Sequence, residues 1–146
     1  MIKVKEKTSV IQNKVDNASS IEELREIIKN LPRYSFCVRI DEMRQSHNIR
    51  SFNSIQKNVA MSKSQFFDVL SGKAKPQRNH IVKIGIAMQL SVLEINELLK
   101  LAHHKELYAK NPEDVIVIYG IQKGMSIIVI EDELMKINAS FSLLEK

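Results

Sequence analysis

The sequence predicts an all-helical protein, and three features of the chain carry that prediction. Apolar residues recur every three or four positions, which is the spacing of one face of a helix. Two capping boxes, Ser20 with Glu23 and Ser91 with Glu94, mark helix starts, because each Ser hydroxyl accepts the N3 amide while the Glu carboxylate reaches back to the cap. The 146 residues include only four Gly and three Pro to interrupt the pattern.

The composition indicates a small protein of a reducing compartment. Of the 146 residues 44% are apolar and 27% charged, which suits one compact domain with or without an appendage. A single cysteine, Cys37, excludes an intramolecular disulfide and a multi-cysteine zinc site. No uncharged stretch approaches the ~20 apolar residues that span a bilayer, and the start MIKVKEKTSVIQNKV lacks a signal-peptide core. We expect a cytoplasmic protein without a membrane partner.

The net charge of +5 is concentrated in the middle of the chain. Residues 1–32 carry 6 basic and 5 acidic side chains, residues 33–90 carry 10 and 3, and residues 91–146 carry 6 and 9. The surplus is therefore +1, +7 and −3. A basic segment between two less basic ones predicts a local polyanion-binding surface.

The first 32 residues are predicted to be a helical extension. After Ser20, apolar residues recur at helical spacing until Pro32 ends the run. An earlier helix is indicated by scattered Ile and Val, although three Lys among the first seven residues equally predict a frayed start. The next helix is expected over 38–47, with Asn48 as its stop.

Residues 51–76 have the outline of a helix-turn-helix. We expect a short helix over 52–59, a tight turn near Ala60 and a second helix capped by Ser62. Gly72 supplies the left-handed residue after that helix, and Pro76 prevents its continuation.

This segment resembles the Cro/repressor-like (XRE-type) helix-turn-helix family, with support from 38–99. The apolar positions that match the family pattern are Ile55, Val59, Met61, Phe66 and Val69. The sequence GKAKP at 72–76 is similar to the family's basic loop. Gln56 stands where the family has a small residue, and Ala60 where it has Gly, a left-handed position that costs Ala about 1 kcal/mol.

The resemblance implies a five-helix DNA-binding domain over 33–105 and a base-reading helix. Its predicted base-reading residues are Lys63, Ser64, Gln65, Phe67 and Asp68. Its predicted phosphate-binding residues are Ser51, Ser62, Lys73, Lys75 and Arg78. Other interpretations remain open for these residues. Ser62 serves only as a helix cap, and the Lys-rich loop is only solvated. Phe67 contacts a protein partner, and Asp68 argues against DNA binding unless it accepts a hydrogen bond from a cytosine amino group.

Two further helix pairs are expected. Residues 80–102 form the first, followed by His103 and His104, which we interpret as a helix end rather than metal ligands. Residues 106–146 contain a C-terminal helix pair, whose first helix starts at Asn111 and Pro112. The sequence of this pair repeats that of residues 80–102. The proposed alignment places Val115 and Ile118 opposite Ile81 and Ile84 and, after one inserted residue, Ser126, Ile130 and Leu134 opposite Ser91, Ile95 and Leu99. A β-hairpin over 115–130 is the alternative.

No catalytic motif, cofactor site or metal site is predicted, so an enzyme is not expected. The leading hypothesis is a sequence-specific regulator that binds double-stranded DNA, an operator-binding repressor that forms a homodimer. The alternative is a protein-interaction module or antitoxin-like adaptor on the same scaffold, which contacts a protein partner through the C-terminal helices. The candidate residues for self-association are Ile127, Ile128, Leu134, Phe141 and Leu144.

Overall fold

The computed structural model describes residues 8–30, 35–140 and 142–144, which form eight α-helices and no strand. The helices are α1 Thr8–Asp16, α2 Ile21–Asn30, α3 Phe36–Ser46, α4 Lys63–Ser71, α5 Arg78–Met88, α6 Val92–Leu101, α7 Pro112–Gln122 and α8 Ile127–Lys136. The all-α prediction is therefore confirmed for this part of the chain, and the β-hairpin alternative is excluded. None of the described helices is long and apolar enough to cross a membrane.

Helices α1 and α2 pack on each other. The Ser20 hydroxyl accepts the Glu23 amide as predicted, but the Glu23 carboxylate accepts from Ser19 rather than from the Ser20 amide. Ile21 and Ile28 of α2 are 55% and 65% exposed, so much of its apolar stripe is uncovered by the described residues. The predicted stop at Pro32 lies outside the described residues.

Helices α3 to α8 share one core. Its fully buried side chains include Ile40, Met43, Phe66, Ile81, Ile84, Ile95, Leu98, Leu99, Ile130 and Leu134. Helix α3 begins two residues before the predicted position 38, because the Ser35 hydroxyl accepts the Val38 amide and caps it. After α3, Asn48 adopts a left-handed conformation with φ 58°, which ends the helix as predicted.

The short helix predicted over 52–59 is not one continuous helix. This segment consists of two 3₁₀ turns, Phe52–Ser54 and Gln56–Asn58, with amide bonds to the third residue back. The Ser54 hydroxyl donates to the Ser51 carbonyl at 2.6 Å and so competes for an acceptor that an α-helix would use. Ile55 and Val59 are nevertheless buried, as the apolar pattern predicted.

The pairs α5–α6 and α7–α8 form a structural repeat of 35 residues. Gly85 and Gly120 occupy equivalent buried positions, and each carbonyl accepts an amide from the residue five positions on at 2.9 Å. The predicted alignment inserted one residue between α7 and α8. That insertion is wrong, because Gly85 and Gly120 show that the offset between the repeats is already 35 residues within α7. Val115 is accordingly 44% exposed, whereas Val117 is fully buried.

A turn of the same form recurs three times. Each contains a left-handed residue, an apolar residue and a Ser that caps the next helix: Ala60, Met61 and Ser62; Gln89, Leu90 and Ser91; Gly124, Met125 and Ser126. We call these the three left-handed turns. They set the starts of α4, α6 and α8.

The chain folds back after each helix pair in the same way. The Leu107 amide donates to Asn96 Oδ1 at 2.7 Å, and the Leu143 amide donates to Glu131 Oε1 at 2.8 Å. Asn96 and Glu131 are 35 residues apart, so the repeat extends past its helices. Both leucines are buried and close the ends of the core.

Two of the predicted self-association residues are buried inside the protein, which corrects their assignment. Ile127 is 4% exposed and Leu134 is 1% exposed, because the inner face of α8 packs into the core. Ile128 and Leu144 remain 71% and 47% exposed and stay candidates for a surface role. Phe141 lies outside the described residues.

Candidate nucleic-acid interface

Helix α4 is positioned by a cap at each end and by two buried anchors. The Ser62 hydroxyl accepts the Gln65 amide at 3.1 Å, and Gly72 follows the helix with φ 84°, as the sequence predicted. Phe66 and Val69 are buried, and α4 packs against α3. This anchoring leaves the opposite side of α4 toward solvent.

The predicted base-reading residues differ in exposure. Lys63 and Ser64 are exposed, while Gln65 and Asp68 are half-buried. Phe67 is also half-buried, with its ring centroid 5.1 Å from that of Phe66, so its packing accounts for the aromatic side chain without a partner. The structure brings together Ser64, Gln65 and Asp68, which line one open groove of about 750 Å³.

The segment from Arg50 to Gln77 is strongly basic at its surface. Five cations are exposed in it, and the sole carboxylate is Asp68; the cations are Arg50, Lys57, Lys63, Lys73 and Lys75. None of the five forms an ion pair with a described carboxylate, in contrast to Arg39, Arg44 and Lys136. These charges are therefore available to an external anion.

The two predicted phosphate-binding serines also differ. Ser62 uses its oxygen as an acceptor for the helix cap, which leaves the hydroxyl hydrogen available to donate. Ser51 is half-buried, and its hydroxyl does not cap the adjacent 3₁₀ turn. The structural reading of Ser62 as a cap is confirmed, and it is compatible with an anion contact.

Arg78 is the predicted phosphate contact that the geometry does not support. Its guanidinium donates to the carbonyls of Lys105 and Glu106 and pairs with Asp114 at 3.1 Å. Asp114 is buried and also accepts the Tyr108 amide at 2.9 Å. Arg78 thus joins the start of α5 to the start of α7, and we remove it from the candidate interface.

Sequence reasoning missed a buried lysine beneath this surface. Lys83 is 2% exposed, and its Nζ donates to the Ala60 carbonyl at 2.9 Å. Burial lowers the pKa of Lys83, while the nearby Glu131 carboxylate opposes that shift. The signal in the sequence was a cation inside the apolar run IVKIGI, at a position that faces the core.

The two departures from the family pattern have local explanations. Ala60 adopts a left-handed conformation with φ 58°, and its carbonyl is held by Lys83. The Gln56 side chain donates to the Met61 carbonyl at 3.1 Å across the same turn. Side-chain hydrogen bonds therefore stabilise the turn, although Gln56 replaces a small residue before it and Ala60 replaces Gly within it.

His47 and His104 are engaged in contacts within the protein. His47 Nε2 lies 2.9 Å from the Glu94 carboxylate, and His104 Nε2 lies 2.8 Å from the Pro76 carbonyl. Hydrogen bonds from the Ser91 amide and from His47 lower the pKa of Glu94 against the opposing effect of its burial. In the part of the chain that the structure describes, no group of three or more His, Cys, Asp or Glu side chains is arranged to hold a metal ion.

Comparison of this chain with protein-family models, with curated proteins and with solved structures finds no match.

Proposed function

We propose that this protein is a sequence-specific regulator that binds double-stranded DNA through a helix-turn-helix of the Cro/repressor-like type. In this proposal α3 to α6, with the 3₁₀ turns, form the five-helix domain, and the left-handed turn at Ala60 separates its second element from α4. The observation that carries the proposal is the set of five exposed cations in the segment that contains α4, none of which pairs with a carboxylate that the structure describes.

Helix α4 supplies the base-reading surface. A helix fits the major groove, which is ~12 Å wide, and N-terminal side chains of such a helix contact base edges. Lys63 and Ser64 are exposed at that end of α4 and are the foremost candidates. Gln65 and Asp68 lie beside Ser64 in the same groove, where Asp68 accepts from a cytosine amino group.

Lys73, Lys75 and the Ser62 hydroxyl act on phosphates. Such contacts release condensed counterions, so they set the orientation of the protein and make affinity fall with salt. By occupying an operator as a homodimer, the protein acts as a repressor.

The test is selection of bound fragments from genomic DNA followed by sequencing, at two salt concentrations. Wild type is expected to enrich one motif. The Lys63→Ala, Ser64→Ala double variant is expected to lose that motif, whereas Lys73→Ala with Lys75→Ala reduces the salt slope by about one per phosphate contact. The matched control is Lys100→Ala with Lys110→Ala, two exposed cations outside the segment. Uniform or absent enrichment by wild type overturns the proposal.

A second candidate function, binding of a protein partner, is favoured by the outer face of α8. Ile128 and Met135 are 71% and 66% exposed there. An exposed apolar patch of this kind is typical of interaction sites. Sedimentation of the purified chain, with Met135→Glu as the comparison, tests one such partner, a second copy of the chain. Loss of a dimer in the variant supports this face as the site of self-association, and an unchanged dimer excludes it from that role.

A further inference from the structure

A groove of about 690 Å³ lies where the three left-handed turns meet. Ala60, Gln89 and Gly124, the left-handed residues of the three turns, all line it. A Cβ atom added at Gly124 would meet no atom within 4 Å, so the groove is open at that point. Its volume is within the ~300–1,000 Å³ range of pockets that hold small molecules.

The lining is apolar on one side. Ile86, Leu90 and Ile127 form its buried part, while Ile121 and Met125 are half-buried. At the rim Ile128 and Leu144 keep 71% and 47% of their surface exposed. An apolar chain laid on these side chains would remove that surface from water, which is favourable.

The charge of the groove is of one sign. Among its described lining residues Lys57 alone is charged; it is exposed and forms no ion pair with a described carboxylate. The other polar side chains are the neutral Asn58, Gln89, Gln122 and Ser126. One anionic group at Lys57 therefore complements the site.

We propose that this groove binds a small amphiphile, an apolar chain that ends in a carboxylate, with the chain against Ile128 and the carboxylate at Lys57. Ala60 lies in the groove and precedes α4 by three residues, so an occupant touches the turn that positions α4. Any effect of the occupant on DNA affinity rests on the proposed function, whereas binding of the amphiphile to the groove does not.

The test uses decanoate as the probe, with decyltrimethylammonium as the probe of equal chain length and opposite charge. Binding is measured below the critical micelle concentration of each probe, by calorimetry and by changes in the amide chemical shifts of Gly124 and Ala60 in NMR spectra. Ile128→Glu is expected to weaken decanoate binding at least tenfold. Leu93→Glu is the matched control, because Leu93 holds the equivalent position of the repeat, is 82% exposed and does not line this groove.

Lys57→Ala is expected to weaken decanoate several-fold and to leave decanol binding unchanged. The proposal is overturned if decanoate does not bind, if the cationic probe binds equally well, or if Ile128→Glu binds decanoate like wild type. Binding of an apolar peptide without binding of decanoate also overturns it. If decanoate binds as expected but wild type selects no DNA motif, the groove proposal stands and the DNA proposal fails.

Discussion

Gly85 and Ile95 pack so closely that a Cβ atom on Gly85 would lie 2.5 Å from Cγ1 and 2.6 Å from Cδ1 of Ile95. Gly120 and Ile130 repeat this relationship 35 residues later, where a Cβ on Gly120 would lie 2.6 Å from Cδ1 of Ile130. Absence of a side chain is what lets α5 approach α6, and α7 approach α8. Gln56 and Phe66, which lie on either side of the first left-handed turn, have the same spacing of ten residues.

Gly85→Ala is expected to lower the free energy of unfolding by roughly 1–3 kcal/mol, because the added methyl overlaps a buried side chain. Urea denaturation measures this change. Combining it with Ile95→Ala removes the overlap, so the double variant should be more stable than the sum of the single effects predicts. Strict additivity of the two substitutions would show that the contact is not the cause.

Ala60→Gly is expected to raise the free energy of unfolding by roughly 0.5–1 kcal/mol, because relief of the left-handed strain exceeds the added chain entropy. Ala102→Gly is the control, since Ala102 has φ −92° and gains nothing from Gly. The midpoint temperature of thermal unfolding should rise for Ala60→Gly and fall for Ala102→Gly. Equal destabilisation by both would refute the strain argument.

Burial of Lys83 makes the free energy of unfolding depend on pH in the alkaline range. Because burial lowers its pKa in the folded state, the unfolded chain binds more protons between that lowered pKa and the unfolded value of about 10.4. The free energy of unfolding attributable to Lys83 therefore rises with pH across this interval. Lys83→Met should flatten the rise in a series of urea titrations, and an unchanged slope would exclude Lys83 as its source.

Arg78→Ala is expected to lower the free energy of unfolding by roughly 2–4 kcal/mol, because it leaves the buried Asp114 carboxylate without its cation. Lys73→Ala, an exposed control, should change stability by less than about 0.5 kcal/mol. Chemical denaturation distinguishes the two. In DNA titrations Arg78→Gln, which removes the charge, should keep the wild-type salt slope, and a reduced slope would return Arg78 to the phosphate-binding set.

The predictable part of the candidate site was the part fixed by local chemistry. The bounds of α4 followed from Ser62 as its cap and Gly72 after it, and both are found there. The ion pair of Arg78 was not foreseen, because its partner, Asp114, lies 36 residues away and is brought to the start of α5 only by the tertiary fold. The burial of Lys83 was missed for a related reason, since its acceptor is the Ala60 carbonyl of another element.

By itself, the sequence determined the all-helical class, most helix starts, the apolar core positions and the basic middle of the chain. These depend on periodicity, caps and charge, which act over a few residues. Tertiary structure alone decided the register of the repeat and which cations pair with a described carboxylate. Those outcomes depend on side chains that meet across distant elements, where close packing and desolvation determine which local preference prevails.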